Sequence, residues 1–219
     1  VRLIDLSHTI EEGMITYKGL PAPLICDFLS HAGSCRVYAE GTEFAINKIE
    51  MVGNTGTYLD SPFHRYPDGI DLADLALDSV ANLPAVVVRA SARAGRAIDR
   101  DAFAGLDPRG KAILVHTGWD AHWRTEAYFE GHPYLTAAAA TSLRDGGATL
   151  VGIDSLNIDS TDDGHRPVHT TLLGANIPIV EHLCRLGELP DAGFHFFAAP
   201  VKVRRFGSFP VRAFGLVAE

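Results

Sequence analysis

An aspartate and a histidine four residues apart, at the end of a polar strand, form the most pointed chemical pattern in the chain. The stretch reads Asn54-Thr55-Gly56-Thr57-Tyr58-Leu59-Asp60-Ser61-Pro62-Phe63-His64. An extended backbone over residues 54–60 turns Asn54, Gly56, Tyr58 and Asp60 to one face, because side chains alternate along a strand. Ser61-Pro62 carries the turn chemistry that ends the strand and swings His64 back toward that face. The outcome is a carboxylate–imidazole pair fit for proton transfer, since free imidazole titrates at about 6.5. The same residues also describe a plain strand end with a capping Asp60 and a surface His64. Pattern alone leaves both readings open.

A second cluster gathers Asp154-Ser155-Leu156-Asn157-Ile158-Asp159, then Arg166-Pro167-Val168-His169, then Glu181. Asp154 follows the apolar run Leu150 to Ile153, so it is expected at the carboxyl end of a strand, where open α/β sheets bind ligands. His169 falls in a loop. Glu181 comes near the start of an expected helix; it either faces water in the first turn, favoured by the helix dipole, or pairs with a charge or a metal. The chain has ten histidines, and most have plainer explanations. His116 follows a buried strand, His122 and His132 are expected at the surface or an interface, and His165 is expected in a solvated loop. His182 is expected to face away from Glu181, and His8, His31 and His195 carry no local signal. Cys26, Cys35 and Cys184 have no visible base partner, so a cysteine nucleophile is not expected.

The elements that must position these groups are short and strand-rich. Val86-Val87-Val88, Ala112 to Val115, Leu150 to Ile153 and Phe194 to Ala199 are apolar throughout and bounded by turn residues, the mark of strands buried on both faces. Further strands are expected over Val1–Ser7, Val201–Val203 and Phe209–Phe214. A helix is expected from Leu135 to Arg144, with Thr136 as N-cap and Gly146-Gly147 as stop, and it joins two strands as a parallel crossover. A second helix is expected from Ile179 to Leu186, where Ile179, Leu183 and Leu186 fall at i, i+4 and i+7. The expectation is one mixed α/β domain over residues 1–219, with more strand than helix.

Composition narrows the function. Lys and Arg number 19 against 27 Asp and Glu, a net charge of −8, with 47% hydrophobic residues. A globular chain of this length builds a substantial core. An acidic chain without a basic stripe lacks the phosphate-neutralising term of nucleic-acid binding. Three cysteines without a Cys-x-x-Cys exclude a thiolate zinc site and suit a reducing compartment. No basic leader and no long apolar run are visible, so a cytoplasmic protein without membrane association is expected.

The chain resembles the cyclase family of hydrolases, the kynurenine formamidase and isatin hydrolase group. The family signature is His-x-Gly-Thr-His-x-Asp-x-Pro-x-His, and Gly56, Thr57, Asp60, Pro62 and His64 match five of its seven defined positions. Ile4-Asp5-Leu6-Ser7, His116 to Asp120, Gly152 to Ser155, Pro167-Val168-His169 through Glu181, and Pro210 to Ala213 resemble its other segments in order. The resemblance implies a swivelling β/β/α fold, a small-molecule substrate, and a homodimer or homotetramer in which Tyr17 and Phe28 could reach a neighbouring subunit's pocket. It implies Asp60, His169 and Glu181 as metal ligands and His64 as general acid or base, with Asn54, Ser61 and Phe63 contacting substrate. A Lewis acid beside a proton-shuttling imidazole is a coherent hydrolytic pair. Tyr58, Phe63, Tyr66 and Trp119 would suit a planar ring.

Two signature histidines are absent, replaced by Asn54 and Tyr58. An amide carbonyl is a weak ligand for zinc, and a phenol ligates only once deprotonated. The departure implies loss of one metal position from a two-metal site. Three readings remain: a hydrolase of a small formyl or cyclic amide, or a lactone, with a single manganese or zinc; a metal-independent cyclase or lyase using Tyr58 and His64; and a non-catalytic small-molecule binder.

Overall fold

A computed structural model describes residues 1–91 and 95–218. Thirteen strands run in chain order: β1 (Arg2–Asp5), β2 (Leu24–Leu29), β3 (Ile46–Glu50), β4 (Tyr58–Asp60), β5 (Leu83–Arg89), β6 (Ala97–Ile98), β7 (Ala112–His116), β8 (Tyr134–Leu135), β9 (Leu150–Ile153), β10 (Ile179–Glu181), β11 (Phe194–Phe197), β12 (Ser208–Pro210) and β13 (Phe214–Val217). The α-helices are α1 (His31–Ser34), α2 (Ala137–Asp145) and α3 (Pro167–Leu173). The mixed α/β reading, richer in strand than helix, holds.

Nine strands form one sheet in the order β1-β13-β11-β5-β7-β9-β10-β4-β12. Its centre, β5, β7, β9 and β10, is parallel, and antiparallel strands flank it on both sides. The four apolar runs are the strands they suggested. Alternation divides them between two cores: Ile113 and Val115 of β7 pack with Leu143 of α2 and Leu172 of α3, while Ala112 and Leu114 pack with Leu6 and Phe196 on the other face. Ile4 of β1 and Leu59 of β4, from opposite ends of the strand order, meet in that second core. The sheet therefore curls, and Ser7 bridges Leu183 across the gap.

Helix α2 joins β7 to the parallel β9, as its pattern required, and Thr136 accepts from the Ala139 N–H as its N-cap. The expected helix over 179–186 is instead β10 followed by a bent segment. Ile177 to Val180 is a β-rich run that finds pairing partners in both β9 and β4, and that pairing overrides the helical spacing. His182 and Arg185 then have φ of 55° and 57°, outside the helical range. Leu183 and Leu186 are buried as the spacing implied, but in an irregular segment. Phe209 to Phe214 divides between β12 and β13, and residues 201–203 form no strand. His132, expected outside, is fully buried, and its Nε2 lies 3.1 Å from the Asp159 carbonyl oxygen. Strands β2 and β3 pair as a separate ribbon that exposes Leu24, Phe28, Ile46 and Ile49. Among the described residues, no helix is long and apolar enough to cross a membrane.

The His8 ring stacks on Trp123, with centroids 4.0 Å apart and 7° between planes. Burial holds its pKa down at about 4, against the pull of Asp120. The unfolded chain binds a proton there at about pH 6.5, so this contribution to stability is complete above 6.5 and is lost as pH falls toward 4. His8→Phe keeps the stack and removes the titration. Between pH 8 and pH 5, wild type should lose about 1–2 kcal/mol more unfolding free energy than the variant in urea titrations. Equal losses would show that His8 is not held neutral.

Candidate active site

Sheet register builds the centre. In the antiparallel pairing of β10 with β4, Glu181 faces Tyr58 and Ile179 faces Asp60. Leu59 and Val180, one residue away, point to the opposite core. Tyr58, Asp60 and Glu181 thus share the face covered by α3, which supplies His169. The polar face of residues 54–60 is only partly a strand. Gly56 has φ +64°, and a Cβ there would approach Ile10 Cγ1 to 3.1 Å, so the chain bends before β4. Asn54 reaches the site by that bend and not by strand alternation.

Asp60, His169 and Glu181 converge. Asp60 Oδ2 and Glu181 Oε1 lie 3.7 and 3.6 Å from His169 Nε2, and both carboxylates are 0% exposed. These separations exceed hydrogen-bonding range. Asp60 Oδ2 is buried with no hydrogen-bond partner. His169 Nδ1 lies 2.7 Å from Asp159 Oδ2, and the two oxygens of Asp159 also accept the Val168 and His169 backbone N–H groups. The ring is thereby oriented with Nε2 toward Asp60 and Glu181. Glu181 Oε1 accepts the Ile158 N–H at 2.7 Å, and Oε2 accepts the Tyr58 hydroxyl at 2.5 Å. Glu181 is therefore not the solvated first-turn residue that a helix there would have made it.

His64 occupies the turn Pro62–His64, its side chain 36% exposed and its Nδ1 3.7 Å from Asp60 Oδ1. Ser208 bridges the two: its Oγ donates to Asp60 Oδ1 and lies 2.8 Å from His64 Nδ1. With the serine proton given to Asp60, the serine oxygen accepts His64 Nδ1–H, which leaves Nε2 as the free base. Gly207 is required here, since a Cβ would come within 2.6 Å of His64 N and Cα.

Electrostatics follow from burial and pairing. Burial opposes charge on His169, but the hydrogen bond to Asp159 and the proximity of Asp60 and Glu181 override it and raise the pKa to about 10. Burial also opposes ionisation of Asp60, yet His64, His169 and Ser208 hold its pKa below the usual carboxylate value. Burial pushes Glu181 up, and it drives Tyr58 well above an ordinary phenol, assisted by Glu181 and Asp60. Tyr58 is a proton donor locked on Glu181, which does not suit it to act as a base.

A cavity of about 260 Å³ opens onto this centre, walled by Tyr17, Asn54, Tyr58, His64, His169 and Glu181 among others. Ser61 is buried with its Oγ on the Gly207 carbonyl and does not line the cavity, and Phe63 lines the adjoining cleft with Phe206 and Gly207. Tyr66 bonds to the Thr170 carbonyl and Trp119 to that of Tyr128, both outside the cavity wall. Tyr17, expected to reach a neighbouring subunit, lines its own chain's cavity, where its hydroxyl accepts from Asn157 Nδ2. Asp154 is structural: it accepts the Thr117 and Gly118 N–H groups and the Thr117 hydroxyl, tying β9 to the turn after β7. Sequence reasoning missed Asp159 and Ser208 as positioning groups, because each acts through a contact across 10 and 144 residues respectively.

The donor set of one imidazole nitrogen and two carboxylates suits a divalent cation such as manganese, zinc or iron. The unpartnered Asp60 Oδ2 beside His169 Nε2 fits that reading, and the Asp159 contact is the outer support such a histidine ligand usually has. Among the described residues, the trio whose ligand atoms all lie within 4.8 Å of one another is Asp60, His64 and His169, whereas Glu181 approaches His169 Nε2 without joining that trio. The bond of His64 to Ser208 and its exposure favour proton transfer.

The cyclase family model matches residues 4–160. The chain belongs to the cyclase family. Kynurenine formamidase from Bacillus cytotoxicus is 27% identical over 210 residues, covering 96% of this chain and 95% of the relative. The enzyme of that name from Geobacillus thermodenitrificans is 30% identical over 177 residues, covering 80% and 81%. Isatin hydrolase A from Labrenzia aggregata, solved with benzyl benzoate, superposes with a TM-score of 0.84 at 22% identity, covering 100% of this chain and 94% of that one. A potential metal-dependent hydrolase with cyclase activity superposes at 0.76 with 26% identity, covering 100% and 98%.

Tyr58→Phe removes the donor to a fully buried carboxylate oxygen. Urea unfolding should show a loss of about 1–3 kcal/mol. An unchanged midpoint would mean that the Tyr58–Glu181 bond does not support the site.

Proposed function

We propose that the protein hydrolyses the carbon–nitrogen bond of a small formyl or cyclic amide, or the ester bond of a lactone. Asp60, His169 and Glu181 would hold a single divalent cation, manganese or zinc, and His64 transfers the proton. The observation that carries this reading is the approach of Asp60 Oδ2 and Glu181 Oε1 to His169 Nε2, at 3.7 and 3.6 Å, beside His64. The kynurenine formamidases among its relatives support the amide assignment.

When bound, the cation supplies Lewis acidity at the substrate carbonyl and balances the buried carboxylates. The chain's own groups do the rest. His64 Nε2 takes a proton from water as the water oxygen adds to the carbonyl carbon. It returns that proton to the leaving nitrogen, or to the lactone's leaving oxygen, as the bond breaks. The Tyr17 oxygen already accepts from Asn157, so its own O–H is free to donate to the carbonyl oxygen as charge develops there. Burial keeps Tyr17 protonated, with its pKa raised far above the usual phenol value. Asn54 contacts substrate from the cavity wall. Tyr58 and Asp159 are positioning residues, acting through Glu181 and His169.

A metal-independent reaction led by Tyr58 would need that hydroxyl to release a proton it already shares with Glu181. The site does not favour it.

Turnover of a panel containing formanilide, a cyclic imide and a lactone tests the proposal, before chelation, after it, and after manganese or zinc is restored. At least one member should be hydrolysed, activity should vanish with chelator and return with metal, and His64→Ala should lower kcat about 10²-fold or more. Full turnover in chelator would overturn the metal role. Turnover indifferent to His64→Ala would overturn the proton role.

A further inference from the structure

Two arginines stand in the wall of the same cavity, one beside His64 and one three residues before His169. Each is anchored by one hydrogen bond at its guanidinium. Arg65 Nε donates to Thr170 Oγ1 at 3.1 Å, and Arg166 Nη1 donates to the Ser160 carbonyl at 2.7 Å. Arg65 also lies over the Tyr66 ring, with Cζ 5.3 Å from its centroid. The remaining guanidinium N–H groups of both take no acceptor among the described residues. Seven other arginines, from Arg89 to Arg212, are ion-paired with carboxylates. Arg65 and Arg166 are not, although Asp60 and Glu181 belong to the same site. Of the described arginines without a carboxylate ion pair, which include Arg2, Arg36, Arg100, Arg109 and Arg205, Arg65 and Arg166 are the two that line the cavity.

Arg166 is aimed by an unusual backbone. It is the residue before Pro167 and holds φ +49°, a left-handed conformation uncommon for a non-glycine residue. Together the arginines place two permanent positive charges, with unused donors, at the rim of a small-molecule cavity. The chain as a whole carries a net charge of −8, so its long-range field repels anions and only a local cationic wall would admit one. Planar guanidinium donors match a planar carboxylate better than any other small anionic group of an organic amide.

We propose that Arg65 and Arg166 form a subsite for a carboxylate carried by the substrate, on the part of the molecule that does not react. The substrate class is then a small amide with an additional carboxylate, and the arginines set specificity without touching the scissile bond. The inference rests on the amide-hydrolase reading for its substrate, though not for its ligand chemistry.

The test pairs 3-formamidobenzoate with its methyl ester, two formamides that differ in charge. In wild type, kcat/KM should favour the acid by about tenfold or more, mainly through KM, and the preference should shrink at high salt. Arg65→Gln and Arg166→Gln each remove the positive charge and keep a polar amide in its place. Each should cut the acid-to-ester ratio severalfold, and the double variant should bring it close to one. A ratio near one in wild type, or one unmoved by both substitutions, would overturn the subsite. Calorimetric binding of benzoate and benzamide separates the two claims. If neither these formamides nor any member of the formanilide, imide and lactone panel is hydrolysed, the amide-hydrolase reading fails. Benzoate that still binds wild type about tenfold more tightly than the double variant, with benzamide showing no such difference, would support the subsite alone. Equal benzoate binding by both proteins would overturn it, and suppression of benzoate binding by chloride and phosphate to the same degree would reduce it to a general anion site.

Discussion

Burial of three carboxylates around one imidazole is the constraint from which the rest of the architecture follows. Asp60, Asp159 and Glu181 are all fully buried, and a carboxylate withdrawn from water must be paired or solvated by protein donors. Asp159 is satisfied by two backbone N–H groups and His169, and Glu181 by Tyr58 and the Ile158 N–H. Asp60 has Ser208 on one oxygen and nothing on the other. The cluster is thus complete except on the side where Asp60, Glu181 and His169 Nε2 face one another. A buried carboxylate oxygen without a donor, Asp60 Oδ2, beside an oriented imidazole nitrogen is the feature expected of a cation site.

The curled sheet meets this requirement by register. A shift of one residue in the pairing of β10 with β4 would send Glu181 into the apolar core and bring Val180 to the cavity. The return of β12 alongside β4 carries Ser208 to Asp60 and His64, linking the buried carboxylate and the exposed histidine through one hydroxyl. Gly207 permits that contact because its backbone lies against His64 where a side chain would collide. The large distances in sequence between Tyr58, Asp60, Glu181 and Ser208 are closed by strand pairing.

Much of this was legible in the residues. The four apolar runs and the α2 crossover with its Thr136 cap could be read from pattern, and family resemblance singled out Asp60, His169 and Glu181, which the fold brings together. The missing parts have physical causes. Ile179, Leu183 and Leu186 satisfy helical spacing because each is buried, and spacing does not record that 179–181 has strands to pair with on both sides. Asn54 reaches the cavity through a left-handed glycine that alternation ignores. Asp159, Ser208 and Tyr17 make tertiary contacts with no local signature, and the Tyr58 hydroxyl donates to Glu181, a partner 123 residues away. Asn54 is a cavity-lining amide and Tyr58 a buried phenol on a carboxylate.

The central claim is that this set of residues holds one divalent cation per chain. Elemental analysis of the protein after loading with manganese or zinc and exhaustive dialysis tests it most directly, with His169→Ala measured alongside. The account predicts about one equivalent per chain in wild type and a small fraction of that in the variant. Two equivalents, or occupancy that survives the loss of His169, would contradict it.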